Sequence, residues 1–137
     1  MTDSFDASPE ADALIAKARA MIPVLRERAA RHAADRRIAA ETIRDLQTAG
    51  FFRVLQPKRW RGFEMDPRVF AQIQLALSTG DMSTAWVYGV IGVHPFQLAL
   101  FDDRAARDVW ADDENVLIAS TYMPTGRATP VKGGFQF

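Results

Sequence analysis

The chain has 137 residues, 48 % of them hydrophobic and 25 % charged, the make-up of one ordinary globular domain with material for a core. Seventeen basic residues balance seventeen acidic ones, so no long-range field draws the chain to nucleic acid or to an anionic membrane. The absence of cysteine excludes disulfides and thiolate metal sites, and the two histidines are too few for a histidine-rich metal centre.

The N-terminal string MTDSFDASPEADA is acidic and polar, with no basic stretch leading into an apolar run, so it does not read as a signal peptide. Residues 1–8 form a disordered tail whose last residue opens a helix: Ser8 supplies an N-cap hydroxyl, Pro9 suits the first helical position and Glu10 faces the positive helix end. Leu14, Ala18, Met21, Ile22, Leu25 and Ala29 then recur at helical spacing as far as Ala34. Pro23 lies inside this run and predicts a kink or a break into two helices. After an Asp35-Arg36-Arg37 turn, a helix over 40–49 turns Ile43 and Leu46 inward and stops at Gly50. Residues 51–65 have no helical period but are too apolar for a solvated loop, which predicts an ordered irregular connection with a structural turn at Arg61-Gly62-Phe63. The charged neighbours of His32, namely Arg28, Arg31 and Arg36, give that histidine the look of a solvated helix face.

Asp66-Pro67 repeats the cap-plus-proline signal and opens a helix ending at Gly80. Asp81 or Ser83 caps the next, from Thr84 to Val93. That helix is apolar nearly all round, which predicts a central buried element with Trp86 and Tyr88 in the core. A short helix over 95–101 follows, then one capped by Asp102 or Asp103 and ending near Trp110. Val116 to Tyr122 is a β-type run, Ala128 to Val131 a second strand, Lys132-Gly133-Gly134 a hairpin turn and 135–137 the start of a third strand. The two glycines lack the strand–glycine–helix setting of a phosphate loop. No stretch is long enough to span a bilayer, the longest apolar run being around Trp86 to Val93, so a cytoplasmic location is the default. A few short strands at a terminus cannot cover their own edges, so 114–137 reads as the opening of an incomplete β-rich domain after a helical domain over 9–113.

Several ordered strings resemble one family. They are 50–57 (GFFRVLQP), 61–64 (RGFE), 80–87 (GDMSTAWV), 92–101 (GVHPFQLALF), 120–126 (STYMPTG) and 133–135 (GGF). This set is similar to the acyl-CoA-dehydrogenase-like superfamily, and within it to the oxygenase components of two-component flavin monooxygenases, among them the hydroxylases acting on 4-hydroxyphenylacetate and on a phenolic secosteroid. The string around His94 separates these hydroxylases from true acyl-CoA dehydrogenases.

The resemblance implies a mainly α chain: the N-terminal helical domain of that fold and the first strands of its β-domain, truncated before the helical bundle. It also implies reduced FMN or FAD delivered by a separate reductase, no metal, a small aromatic substrate and assembly as a homotetramer at full length. His94 is the implied catalytic and substrate-contacting residue, Ser120 a second substrate contact, and Tyr122, Met123 and Thr125 approach the flavin. Pro95 departs from the family pattern next to the histidine. Without the resemblance, His94 reads as a structural histidine at a helix end and Ser120 as an ordinary strand serine. Two rival readings stand beside the hydroxylase: an acyl-CoA dehydrogenase or sulfur- or nitrogen-compound monooxygenase of the same superfamily, and a truncated helical module without catalysis. The chain by itself is expected to be inactive and to bind flavin only weakly.

Overall fold

The computed structural model describes residues 8–120, 123 and 125–136. Residues 1–7 of the expected tail lie outside them, whereas Ser8 is an ordered cap whose hydroxyl accepts from the Ala11 amide at 3.2 Å. Helix α1 covers Pro9–Ala20 and α2 covers Ile22–Asp35, separated by a turn at Met21. Pro23 therefore produces a break, and it falls in the first turn of α2, where a missing amide hydrogen costs least. Arg36 closes α2 in the left-handed conformation (φ 49°). Helix α3, Ala40–Ala49, ends on Gly50 at φ 86°, a conformation that favours glycine.

The apolar connection folds as two short 3-10 turns, Phe51–Arg53 and Lys58–Trp60, and then doubles back on itself. The amides of Phe63, Glu64 and Met65 donate to the carbonyls of Arg53, Gln56 and Val54, each at 2.9 Å. Gly62 makes this possible: a Cβ there would lie 2.0 Å from the Gln56 carbonyl oxygen. Helix α4, Pro67–Ser78, starts from Asp66, and α5, Met82–Gly92, starts from Asp81, whose carboxylate accepts from the amides of Ser83 and Thr84. A one-turn helix α6, His94–Leu98, and α7, Asp103–Trp110 capped by Asp102, complete the helical part.

α4 is the central helix, packed on α1 from one side and α5 from the other. Leu14, Leu25, Leu46, Phe51, Val54, Ile73, Leu77 and Tyr88 form the core, and full burial of each large aliphatic side chain is worth roughly 1.5–3 kcal/mol. The Tyr88 ring lies 4.7 Å from Phe70, 5.9 Å from Phe52 and 6.3 Å, edge-on, from Phe51.

α4 stops at Ser78, just before Gly80, as expected, and a Cβ at Gly80 would sit 2.9 Å from the Leu25 Cβ, so glycine there also lets α2 approach. Three expectations need correction. α5 is not buried all round. Thr84, Ala85, Tyr88 and Gly92 face inward, but Trp86 is 70 % exposed and Met82 66 %, so Trp86 is not a core residue. The run from Val116 to Ser120 forms no strand, because among the described residues no second strand pairs with it; β-propensity is realised only against a partner. The segment is instead held to helices, with Gln47 Nε2 donating to the Asn115 carbonyl and the Trp110 indole N–H to that of Val116. His32 is buried, as described below.

The hairpin did form. β1, Thr129–Val131, pairs antiparallel with β2, Gly134–Gln136, with Pro130 opposite Phe135, and Gly133 turns the chain at φ 89°. Both strands are exposed on both faces. No helix among the described residues is long and apolar enough to cross a membrane.

Candidate functional site

α5 ends at Gly92, and after Val93 the chain re-enters a helix at His94. Pro95 is tolerated because it occupies the first turn of α6, where its ring presets φ and no amide is missed. The turn it starts places Gln97 three residues beyond His94 on the same side of the helix. His94 is only 2 % exposed. Its Nδ1 lies 2.7 Å from Gln97 Oε1, and its Nε2 lies 3.2 Å from the hydroxyl of Ser120, which arrives from a segment 26 residues later. Two of the residues singled out in the sequence are thus in direct contact.

Ser120 is exposed and forms part of the wall of a cleft of about 310 Å³ with Phe70, Gln74, Trp86, Gly89, Val90 and Val93. His94 stands behind Ser120 rather than in the cleft wall. The cleft exists because α5 carries glycines where α4 presses on it. A Cβ at Gly89 would lie 2.3 Å from Gln74 Nε2, and one at Gly92 would lie 2.7 Å from the Phe70 ring. Gln74 lies across the first of these gaps and donates to the Ala85 carbonyl at 3.3 Å. The result is an apolar, partly aromatic slot with a hydroxyl and an amide at its edge, the make-up of a small-molecule site.

The other sequence candidates lie apart from this slot. Met123 is 68 % exposed and Thr125 is exposed, and neither forms part of the cleft wall; Tyr122 lies outside the described residues. Among the described residues the clefts are open, and none forms an enclosed cradle of the size a flavin needs. No group of three or more His, Cys, Asp or Glu side chains converges on a metal position among the described residues.

His32 occupies a different environment. Its ring is buried, with Nδ1 2.9 Å from Asp81 Oδ2 and Nε2 3.3 Å from the Thr42 hydroxyl. Arg28 donates to that hydroxyl at 3.1 Å and to Asp45 at 2.7 Å, while the Thr84 hydroxyl donates to Asp81 at 2.6 Å. Burial pushes the Asp81 carboxyl up, but hydrogen bonds from the Thr84 hydroxyl, His32 and the Ser83 and Thr84 amides outweigh it and hold the group below the usual carboxylate range. This network ties α2 and α3 to the start of α5. Burial alone raises the Tyr88 phenol well above its ordinary value, so it stays protonated in the core.

Sequence reasoning missed Gln97, Gln74 and the Asp81–His32 pair. The three-residue step from His94 to Gln97 on a helix was a usable signal; the other two contacts depend on how distant helices pack.

No family model matches the chain. Curated relatives do. Over 116 residues the chain is 43 % identical to the flavin-dependent monooxygenase oxygenase subunit HsaA of Rhodococcus jostii, covering 85 % of this chain and 30 % of the relative. Its homologues are flavin-dependent aromatic monooxygenases. A more distant one, the oxygenase component of the FADH(2)-dependent resorcinol hydroxylase of a Rhizobium species, is 30 % identical over 101 residues, 74 % of this chain and 25 % of that protein. The crystal structure of the 3-HSA hydroxylase from Rhodococcus sp. RHA1 superposes with a TM-score of 0.86 at 41 % identity, over 90 % of this chain and 32 % of that one. The chain thus has the fold of the corresponding part of these oxygenases and spans between a quarter and a third of their length.

Proposed function

We propose that this chain forms the substrate side of a reduced-flavin-dependent hydroxylase acting on a phenol or similar aromatic ring. The observation that carries the reading is the 3.2 Å contact between His94 Nε2 and the Ser120 hydroxyl at the edge of an apolar cleft. An aromatic ring suits the slot between Phe70, Trp86 and Val90, and its hydroxyl would meet Ser120 first. A phenol is far more reactive toward an electrophilic oxygen donor as phenolate, so a route for its proton is needed. Ser120 can accept a hydrogen bond from the phenol while donating its own to His94, and His94 can take the charge. Water is kept from the imidazole by its burial.

The reduced flavin would supply the oxygen-activating chemistry, delivered by a separate reductase. Tyr122, Met123 and Thr125 remain the proposed approach of this chain to it, and the choice between FMN and FAD is left to experiment. Exposed apolar side chains support packing of the chain against further protein: Leu100 is 74 % exposed, Trp86 70 % and Phe101 68 %. Assembly as a homotetramer in the cytoplasm belongs to the same reading.

The test is turnover. A form extended to the length of the relatives, given NADH, a flavin reductase and flavin, should hydroxylate a simple phenol, and His94→Ala should lower kcat by about 10²-fold or more. Oxidation of acyl-CoA with an electron acceptor, and no phenol hydroxylation, would overturn the reading.

A further inference from the structure

We infer that Gln97 is a positioning residue: it fixes the tautomer of His94 so that the nitrogen facing Ser120 and the cleft carries a lone pair rather than a hydrogen. The inference rests on the functional reading above for its purpose, but on geometry alone for its content.

A neutral imidazole carries one hydrogen, on either of its two nitrogens, and the hydrogen bond made by one nitrogen decides what the other can do. The Nδ1 of His94 faces Gln97 Oε1 at 2.7 Å. An amide oxygen can only accept, so Nδ1 must donate, and the hydrogen of the neutral ring is committed there. Nε2 is then an acceptor. It faces the Ser120 hydroxyl at 3.2 Å, a group that can donate or accept and so adapts to whichever role the ring dictates. In the opposite tautomer the Nδ1 lone pair would face the Gln97 oxygen at 2.7 Å, so the amide would have to turn over and present its NH2 instead, giving up the arrangement seen here.

The local sequence supplies both members of this contact. Pro95 commits the residues after His94 to a helical turn. The turn brings position 97 beside position 94, and a glutamine there reaches the ring. An alanine or a leucine at 97 would leave the turn intact but the ring undirected. A carboxylate would also hold Nδ1–H, at the cost of adding a charge behind the base. Glutamine orients the imidazole while leaving its charge to be set by what reaches Nε2.

The chain's two histidines make the test direct. In a two-bond proton–nitrogen correlation spectrum of the ¹⁵N-labelled chain, each ring reports which nitrogen is protonated. His94 should show Nδ1 at the protonated-nitrogen position and Nε2 as the unprotonated one. Gln97→Met should move the two nitrogen resonances of His94 toward each other as both tautomers become populated, and Gln97→Glu should restore the parent pattern. The His32 resonances, held by Asp81 and Thr42 on other helices, should stay in place in both variants and so report an intact fold. A parent spectrum with His94 protonated on Nε2 would overturn the inference, whatever the variants do. So would an unchanged tautomer in Gln97→Met with His32 undisturbed. If the tautomer is as stated but the extended protein hydroxylates no phenol, the positioning role stands and the functional reading falls.

Discussion

The two histidines are both buried, and both have hydrogen-bond partners on each side of the ring, yet their surroundings differ in kind. His32 sits between a carboxylate and a hydroxyl that is itself held by Arg28, and every partner also anchors a helix. His94 sits between an amide on its own helical turn and an exposed hydroxyl at the edge of a cleft. Charge and cross-links make the first a fastener. An amide and a hydroxyl open to the cleft leave the second able to respond to a molecule arriving from outside. Burial of a histidine therefore says little about its task; what its neighbours are tied to says more.

Breaking the first environment should cost most. Asp81→Ala removes the cap of α5 and leaves the His32 N–H unpaired inside the protein, a loss of about 3 kcal/mol from a cap worth ~1 and an unsatisfied buried donor worth ~1–3; urea unfolding followed by circular dichroism measures it. Asp81 also sets a pH signature. Its carboxyl is depressed in the folded state, so its stabilising contribution is present above the unfolded value near ~4 and is lost as pH falls through the folded value. Asp81→Asn should therefore weaken the fall in stability between about pH 5 and about pH 3 seen in the parent.

Intermediate in size is an attack on the cleft beside His94. Gly92→Ala drives a methyl group to 2.7 Å from the Phe70 ring, which overpacking makes unfavourable by ~1–3 kcal/mol, partly offset by the ~1 kcal/mol that alanine gains in a helix. A net loss of about 1 kcal/mol with a displaced Phe70 is expected, seen as a lower Tm and altered aromatic circular dichroism. An unchanged aromatic signal would mean that α4 and α5 are less tightly apposed than described. Ser120→Ala should do least to stability, within about 0.5 kcal/mol, since the side chain is exposed. It should nevertheless shift the His94 ring resonances while leaving those of His32 alone, and that selectivity sharpens the contrast between the two sites.

Helix starts were readable because their causes are local. Ser8-Pro9, Asp66-Pro67, Asp81 and Asp102 all cap the helices expected of them. The contact between His94 and Ser120 was not readable from spacing; only the resemblance pointed to both residues, and the structure brought them together. His32 was misread because charged neighbours along the chain say nothing of Asp81, which reaches it from 49 residues away. Trp86 was misread because a helix apolar on every side gives no hint of which side is covered. Residues 116–120 have strand-like chemistry but no strand beside them among the described residues, and pairing is a property of two segments.

Trp86 stands on a ridge of α5 shared by two openings, the slot that ends at Ser120 and a wider cleft of about 470 Å³ bounded by Arg36, Arg37 and Met82. Its indole is bathed in solvent, whereas that of Trp110 is 3 % exposed. The molecule thus carries its own optical reporter: with these exposures, emission from Trp86 should be red-shifted and open to quenching and that from Trp110 sheltered, so anything aromatic or flavin-like that settles on this face should dim the first before the second.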